Sequence, residues 1–312
     1  GKNQGGINMI YDVIIIGSGP AGLSAAIYGK RAELSLVVIE KAALSGGQII
    51  NTTEVDNYPG FIGISGFDLS MKLREHSDSL ETEFITGEVK DLSLDGETKV
   101  ITLDDGTKLR AKAIIIASGG VPRHLGVEGE KDLAGMGVSY CATCDGAFFR
   151  NKDVVVVGGG DTAVEDAIFL SRISRKVYVV HRRDEFRAKK GLVTKLLSLE
   201  NVTVLWDSVV EKINGDDVTE SITIKNVKTN EINEYDVSGV FIAVGYIPNS
   251  GPFKDIVATD KSGHIIAGEN CETNVPGIIA AGDVRTKELR QIVTAASDGA
   301  MAITAVEKYL NQ

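Results

Sequence analysis

The sequence predicts an α/β protein made of two three-layer units, the second inserted into the first, and three observations carry that prediction. The chain repeats itself: YDVIIIGSGPAGLSAAIY from Tyr11 and KDVVVVGGGDTAVEDAIF from Lys152 align without a gap at a constant offset of 141 residues. Each copy passes from four consecutive apolar residues through glycines into small residues with an apolar face, the pattern of a strand buried on both sides that feeds a helix. With 312 residues, the chain has room for about two domains.

Taken in order, the first strand centres on Val13 to Ile16 and its turn is Gly17-x-Gly19-x-x-Gly22. The second centres on Val154 to Val157, with the turn Gly158-x-Gly160-x-x-Ala163. In such a turn the first small residue permits the tight bend, the second lets backbone approach a pyrophosphate, and the third brings helix close to strand. Free N–H groups at the helix start then point at phosphate. One turn of this kind also arises from packing alone; two matched copies, each after a strand, predict two Rossmann-like dinucleotide sites.

The next strand of each unit distinguishes the two sites. Twenty-three residues after Gly17, LSLVVIE ends in Glu40; twenty-three after Gly158, KVYVVHRR reaches His181, followed by Arg182 and Arg183. A carboxylate there accepts from ribose hydroxyls and repels a 2′-phosphate, whereas arginines bind that phosphate through charged forks. The first site should therefore take FAD or NAD and the second NADPH. The competing reading of HRRDEFRAKK is a solvated basic face or a nucleic-acid patch.

Further along, AKAIIIASGG (111–120) and GIIAAGD (277–283) are short apolar strands that run into small residues suited to lie under a flat cofactor. Beyond Asp283, the helix-spaced Ile292, Ala295, Ala296 and Gly299 put a helix N-terminus near Arg290 and Gln291, where it could face a ring carbonyl or phosphate. These segments belong with the first unit, and VFIAVGYIPN (240–249) closes the second. The expected domains are thus 9–121 with 250–312, and an insertion over 122–249. The crossings GGVPRH and IPNSGP carry the glycine and proline of connections.

Composition narrows the setting. A net charge of −10 disfavours nucleic acid and anionic membrane as partners. No 18 apolar residues run together, and Met9 leads directly into the first strand without a leader pattern, so a soluble cytoplasmic protein is expected. The opening GKNQGGIN has the look of an expression remnant. Three cysteines cannot make a disulfide framework, and Cys141 and Cys144, three apart, read as catalytic redox chemistry or metal binding. Metal is disfavoured because Cys271, His76, His124, His181 and His264 form no spaced ligand pair.

From Met9 onward the chain resembles the low-molecular-weight, bacterial-type thioredoxin reductases. GSGPAGLSAAIY, SGGQI, TTEVDNYPG, CATCDG, GGGDTAVEDA, HRRDEFRA and AAGDV carry the likeness. The resemblance implies FAD in the discontinuous domain, NADPH and a redox disulfide in the inserted one, and a homodimer that reduces thioredoxin. Carried over by position, Ser18, Pro20 and Ala21 accompany the first turn; Gly46, Gly47, Gln48, Asn57 and Gly119 line the flavin; Asp283, Arg290 and Gln291 close it. Asp161, Thr162, Glu165 and Arg187 join the NADPH site. Asp161 departs from the family, where Asn is frequent, and adds negative charge near a phosphate; ASGG likewise lacks a common Thr.

The same resemblance assigns Cys144 to the flavin side, Cys141 to attack on the substrate, and Asp145 to proton transfer. NADPH gives two electrons, a disulfide accepts two, and a flavin can mediate. Rival readings are a ferredoxin-fed reductase, a reductase of another small disulfide protein, and a non-turnover NADPH sensor. Retention of glycine turn and arginines in the inserted domain argues against the first.

Overall fold

The computed structural model describes residues 9–52 and 54–312, and the proposed remnant GKNQGGIN lies outside them. The chain divides into two compact units: one runs to Val121 and resumes over Ile247–Gln312, the other is Pro122–Tyr246. The return crossing falls at Tyr246, ahead of the expected boundary at Asn249. Hydrogen bonding explains the difference. Asn249 N donates to the Gly119 carbonyl at 2.9 Å, Asn249 Nδ2 to the Ser118 carbonyl at 2.9 Å, and Ser118 Oγ to the Asn249 carbonyl at 2.8 Å.

The first unit begins with β1 (Ile10–Ile16), α1 (Pro20–Arg31) and β2 (Leu36–Glu40), and continues through α2 (Gly66–Asp78), β3 (Glu83–Thr86) and the meander β4 (Val89–Asp95), β5 (Thr98–Leu103) and β6 (Lys108–Ile116). After the crossing strand β7 (Gly120–Pro122), the second unit contains β8 (Val138–Ser139), α3 (Ala142–Asp145), β9 (Asp153–Val157), α4 (Asp161–Ser171), β10 (Lys176–Val180), α5 (Lys190–Leu197) and β11 (Val202–Leu205). It adds β12 (Ser208–Asn214), β13 (Ser221–Asn226) and β14 (Ile232–Asp236) before β15 (Gly239–Ile242). At the second crossing β16 (Tyr246–Pro248) pairs with β7, and β17 (Ile278–Ala280) and α6 (Ile292–Leu310) complete the first unit.

In the first unit the strand order is β3-β2-β1-β6-β5-β4, and β6 forks. Its opening half pairs antiparallel with β5, whereas Ile114 to Ile116 pair parallel with β17. Val13, Ile14 and Ile15 of β1 and Ile114 to Ile116 of β6 are wholly buried, since apolar groups cover both faces of this sheet. On one face the small residues Ala21, Ala25 and Ala26 of α1 bring that helix close, and Ala302, Ile303 and Val306 of α6 join it.

The second unit has a five-stranded sheet, β11-β10-β9-β15-β8, parallel throughout, and a separate antiparallel sheet, β12-β13-β14. Helices α4 and α5 cover one face; residues of the antiparallel sheet, Ile213, Ile222 and Ile224, pack on the other. The sequence repeat is also a structural one. Gly17 N donates to the Ile39 carbonyl at 2.8 Å and Gly158 N to that of Val180 at 3.1 Å, while Ala117 N reaches Ile16 O and Ala243 N reaches Val157 O, both at 2.8 Å. Among the described residues no helix is long and apolar enough to cross a membrane.

Candidate functional site

In the first unit the strand order reverses between β1 and β6, and a ligand crevice in such sheets opens at that point, beyond the carboxyl ends of the strands. Gly17 occupies it at φ +103°, and a Cβ there would lie 2.3 Å from the Ala117 carbonyl oxygen. Only glycine fits. Ser18, wholly buried, donates to Glu40 Oε2 through its N–H at 2.9 Å and its Oγ at 2.7 Å, and Ala42 N donates to Oε1 at 2.8 Å. These donors fix the carboxylate in place and leave Oε1 acceptor capacity for a hydroxyl.

Gly46 N donates to the Ser18 carbonyl at 2.9 Å, and Gly47 lies beside Gly19, which brings the SGGQ segment to the first turn. Pro20 opens α1, followed by Ala21 and Gly22, and Gln48 is exposed in the short turn Gly47–Asn51. Gly282 meets Ala21, so the Asp283 turn adjoins the same helix start. Arg290 Nε donates to the Asp283 carbonyl at 3.2 Å, Asn57 Nδ2 donates to Gln291 Oε1 at 3.0 Å, and Gln291 caps α6. Gly119, at φ +61°, lies in the link between β6 and β7. Small residues where backbone must approach, an anchored acid and a helix N-terminus fit the adenosine, pyrophosphate and ring of FAD.

Sequence reading missed what holds the Asp283 turn. Asp298 on α6 accepts from Arg285 Nε and Nη2 at 2.8 Å each, from Lys287 Nζ at 2.9 Å and from Gly282 N at 2.8 Å. All three side chains are buried. Burial pushes the Asp298 carboxyl upward, but these donors outweigh it and hold the group below its ordinary range. The available signal was an acid on the otherwise apolar stripe of Ala295, Ala302 and Ile303.

The second unit repeats the crevice between β9 and β15. Gly158 has φ +149°, and a Cβ on it would lie 2.3 Å from the Ala243 carbonyl oxygen. Gly160 caps α4, Asp161 and the exposed Thr162 form its first turn, and Ala163 packs against Gly158. Arg182, Arg183 and Arg187 are exposed, and no ion pair among the described residues involves them. Arg187 N donates to the Gly159 carbonyl at 2.8 Å, drawing the basic segment onto the glycine turn. Asp161 does the same, since its Oδ1 accepts from Lys189 N at 2.8 Å. The departure from Asn thus has a structural partner. Unpaired guanidiniums beside a phosphate-type turn fit NADPH.

His181 differs from the others. The residue is only 4 % exposed, and its ring lies under Gly159 and stacks on Phe186, while Nε2 donates to the Glu185 carbonyl at 2.9 Å. Burial, then the nearby arginines, lowers its pKa, so a neutral ring supports the turn from below. Glu165 is exposed on α4 beside Asp166, whose carboxyl burial pushes up to about 7.

Cys141 and Cys144 are joined as a disulfide with Cα atoms 5.3 Å apart. Cys141 caps α3, and Cys144 N donates to Cys141 Sγ at 3.2 Å. Asp145 follows, its pKa raised by burial and partly restrained by a hydrogen bond from Ser139. Cys271 is fully buried and its thiol is pushed up to about 12, chiefly by burial, which suits a core position rather than redox work. Among the described residues no group of three or more His, Cys, Asp or Glu could hold a metal ion.

Comparison with known proteins agrees with this geometry. The pyridine nucleotide-disulphide oxidoreductase family matches residues 11–299. The thioredoxin reductase of Peptoclostridium acidaminophilum is 46% identical over 308 residues, covering 96% of this chain and 97% of that one; the Bacillus subtilis enzyme is 45% identical over 304 residues, covering 97% and 96%. Among solved structures, thioredoxin reductase from Streptococcus pyogenes superposes with a TM-score of 0.92 at 48% identity, covering 97% of this chain and 99% of that one. The protein from Giardia duodenalis also gives 0.92, at 34% identity, over 98% and 100%.

Proposed function

The chain belongs to the thioredoxin reductases of the pyridine nucleotide-disulphide oxidoreductase family, and from that premise we propose that it passes electrons from NADPH through FAD and the Cys141–Cys144 disulfide to the disulfide of thioredoxin. One observation carries the reading: a bonded cysteine pair with a half-buried acid beside it sits in the same unit as a dinucleotide turn flanked by unpaired arginines.

In this reading Arg182, Arg183 and Arg187 hold the 2′-phosphate of NADPH, and the turn from Gly158 to Ala163 holds its pyrophosphate. His181 supports that turn; Thr162 and Glu165 border it. Gly17, Gly19 and Gly22 cradle the FAD pyrophosphate, Glu40 takes the ribose, and Asp283, Arg290, Gln291, Asn57 and Gly119 surround the ring. Nicotinamide and flavin, when bound, supply two-electron transfer. Two electrons and two protons delivered to the disulfide break it: one proton stays on Cys144, the other passes from the Cys141 thiol to Asp145, and the Cys141 thiolate is stabilised by the Cys144 N–H. Cys141 then attacks thioredoxin, and Asp145 gives its proton to the departing sulfur. The protein works as a cytoplasmic homodimer.

Purified protein should oxidise NADPH steadily when oxidised thioredoxin is present and negligibly without it. NADPH binding with no turnover on any disulfide would leave a sensor in place of an enzyme.

A further inference from the structure

Ser139 closes β8, in register with Phe241 of β15, at the point where the chain leaves the sheet for the cysteine pair. Its side chain is buried, with 5 % of the residue exposed, and its hydroxyl lies between two groups of the redox segment. The Cys141 N–H donates to Ser139 Oγ at 3.1 Å, and Oγ donates onward to Asp145 Oδ2 at 2.6 Å. The hydroxyl has one proton and two acceptors in reach, the Cys141 carbonyl at 3.3 Å and the Asp145 carboxylate at 2.6 Å, and the nearer, charged carboxylate takes it; the backbone amide occupies an acceptor lone pair and polarises the O–H further.

We propose that Ser139 is a positioning residue for the proton-transfer step, and that it sets how readily Asp145 holds and yields its proton. The proposal deepens the disulfide-reductase reading and rests on it. A carboxyl half-buried beside the disulfide is pushed toward its neutral form, and a donor fixed by the sheet favours the charged form. The two influences oppose each other. Asp145 can therefore take the Cys141 thiol proton as the thiolate forms, and return it without becoming trapped as the acid.

The step balances. Cys141 thiolate attacks one sulfur of the thioredoxin disulfide, a mixed disulfide forms, and the departing thioredoxin thiolate takes the proton from Asp145. Cys144, its proton passed to the same carboxylate, then attacks Cys141 Sγ. The Cys141–Cys144 disulfide re-forms, the second thioredoxin thiolate is released and protonated, and two electrons and two protons have moved to thioredoxin.

The test is the pH profile of alkylation of the reduced dithiol by iodoacetamide, which needs no protein acceptor, run alongside thioredoxin turnover. In the wild type, titration of Asp145 appears as an inflection in the alkylation rate, and Asp145→Asn removes it. Ser139→Ala should move that inflection to higher pH by about one unit, the worth of one hydrogen bond to an ionised carboxylate. Ser139→Thr, which keeps the hydroxyl, should leave it near the wild-type position. In the Asp145→Asn background Ser139→Ala should change neither profile further. Anaerobic flavin reduction by NADPH, unchanged in every variant, reports an intact fold, and Ser139→Gly replaces the alanine variant if that step is lost. An inflection unmoved in Ser139→Ala, or an equal effect of that change with and without Asp145, overturns the proposal. Absence of thioredoxin turnover by the wild type, with the inflection displaced as expected, overturns the functional reading instead.

Discussion

Replacing Asp298 by Asn keeps the shape of the side chain and removes its charge. Arg285 and Lys287 then remain in a site where their side chains are 9% and 6% exposed, without the carboxylate that both contact. Removing one partner of a buried pair costs about 3–5 kcal/mol, because the other charge is left uncompensated. For a unit of this size that corresponds to a fall in melting temperature of roughly 10 °C. The loss should concentrate where Gly282 N gives up its charged acceptor, so FAD should be released at lower temperature than from the wild type. Flavin fluorescence during a thermal ramp, read beside far-UV circular dichroism, measures both. A companion variant, Arg285→Met with Lys287→Met and Asp298→Leu, removes all three charges together and should cost less than the single change, since no buried charge stays unpaired. A single variant that melts within about 2 °C of the wild type and keeps its flavin would refute the reasoning, because that difference is well under the cost of an uncompensated buried cation.

Arg182→Ala with Arg183→Ala should raise KM for NADPH on the order of a hundredfold, the worth of charged hydrogen bonds to the 2′-phosphate, and leave KM for NADH nearly unchanged; equal effects in steady-state assays count against the assignment. With Cys141 and Cys144 both changed to Ser, NADPH should still bleach the flavin in an anaerobic cuvette while thioredoxin reduction disappears. Asp166 supplies a pH dependence: burial raises its folded pKa to about 7 from the ordinary 3.8, so the folded state retains a proton that the unfolded chain releases, and stability falls as pH rises from about 4 to 7. Asp166→Asn should accordingly be more stable than the wild type at pH 8, by up to about 4 kcal/mol, and match it near pH 4 in urea unfolding.

The backbone plan was legible because it follows from period and turn chemistry. The runs at Val13 and Val154 lie in central strands, and Gly17 and Gly158 stand where a side chain would strike the carbonyl just beyond the neighbouring strand. The segments AKAIIIASGG and GIIAAGD pair as β6 and β17. Side-chain direction was less accessible. His181 stands at the position expected for the ribose, but the absence of a side chain at Gly159 opens a space that its ring fills. Ser139 and Asp298 were not foreseen because their partners lie 6 and 13 residues away across turns whose geometry exists only in the folded backbone. The antiparallel sheet β12-β13-β14 leaves little signal in the sequence for a related reason: its strands mix polar and apolar residues, and give no unbroken run.

The fork in β6 bears on how the chain comes to be made. Ile114 to Ile116 await β17, and the face of α1 that packs on α6 awaits that helix, yet both partners are synthesised only after the whole of Pro122–Tyr246. The inserted unit is contiguous and can complete itself first, in keeping with the unit-by-unit order in which chains emerge. Its completion matters to the other unit. Left as an open chain, the insert would be a long loop to close before β17 could reach β6, with the entropy cost that such closure carries. Once folded, it brings its two ends together through the pairing of β7 with β16, and the C-terminal segment is delivered beside the strand that lacks a neighbour. A destabilised insert should therefore delay flavin uptake during refolding, even where every flavin-binding residue is intact.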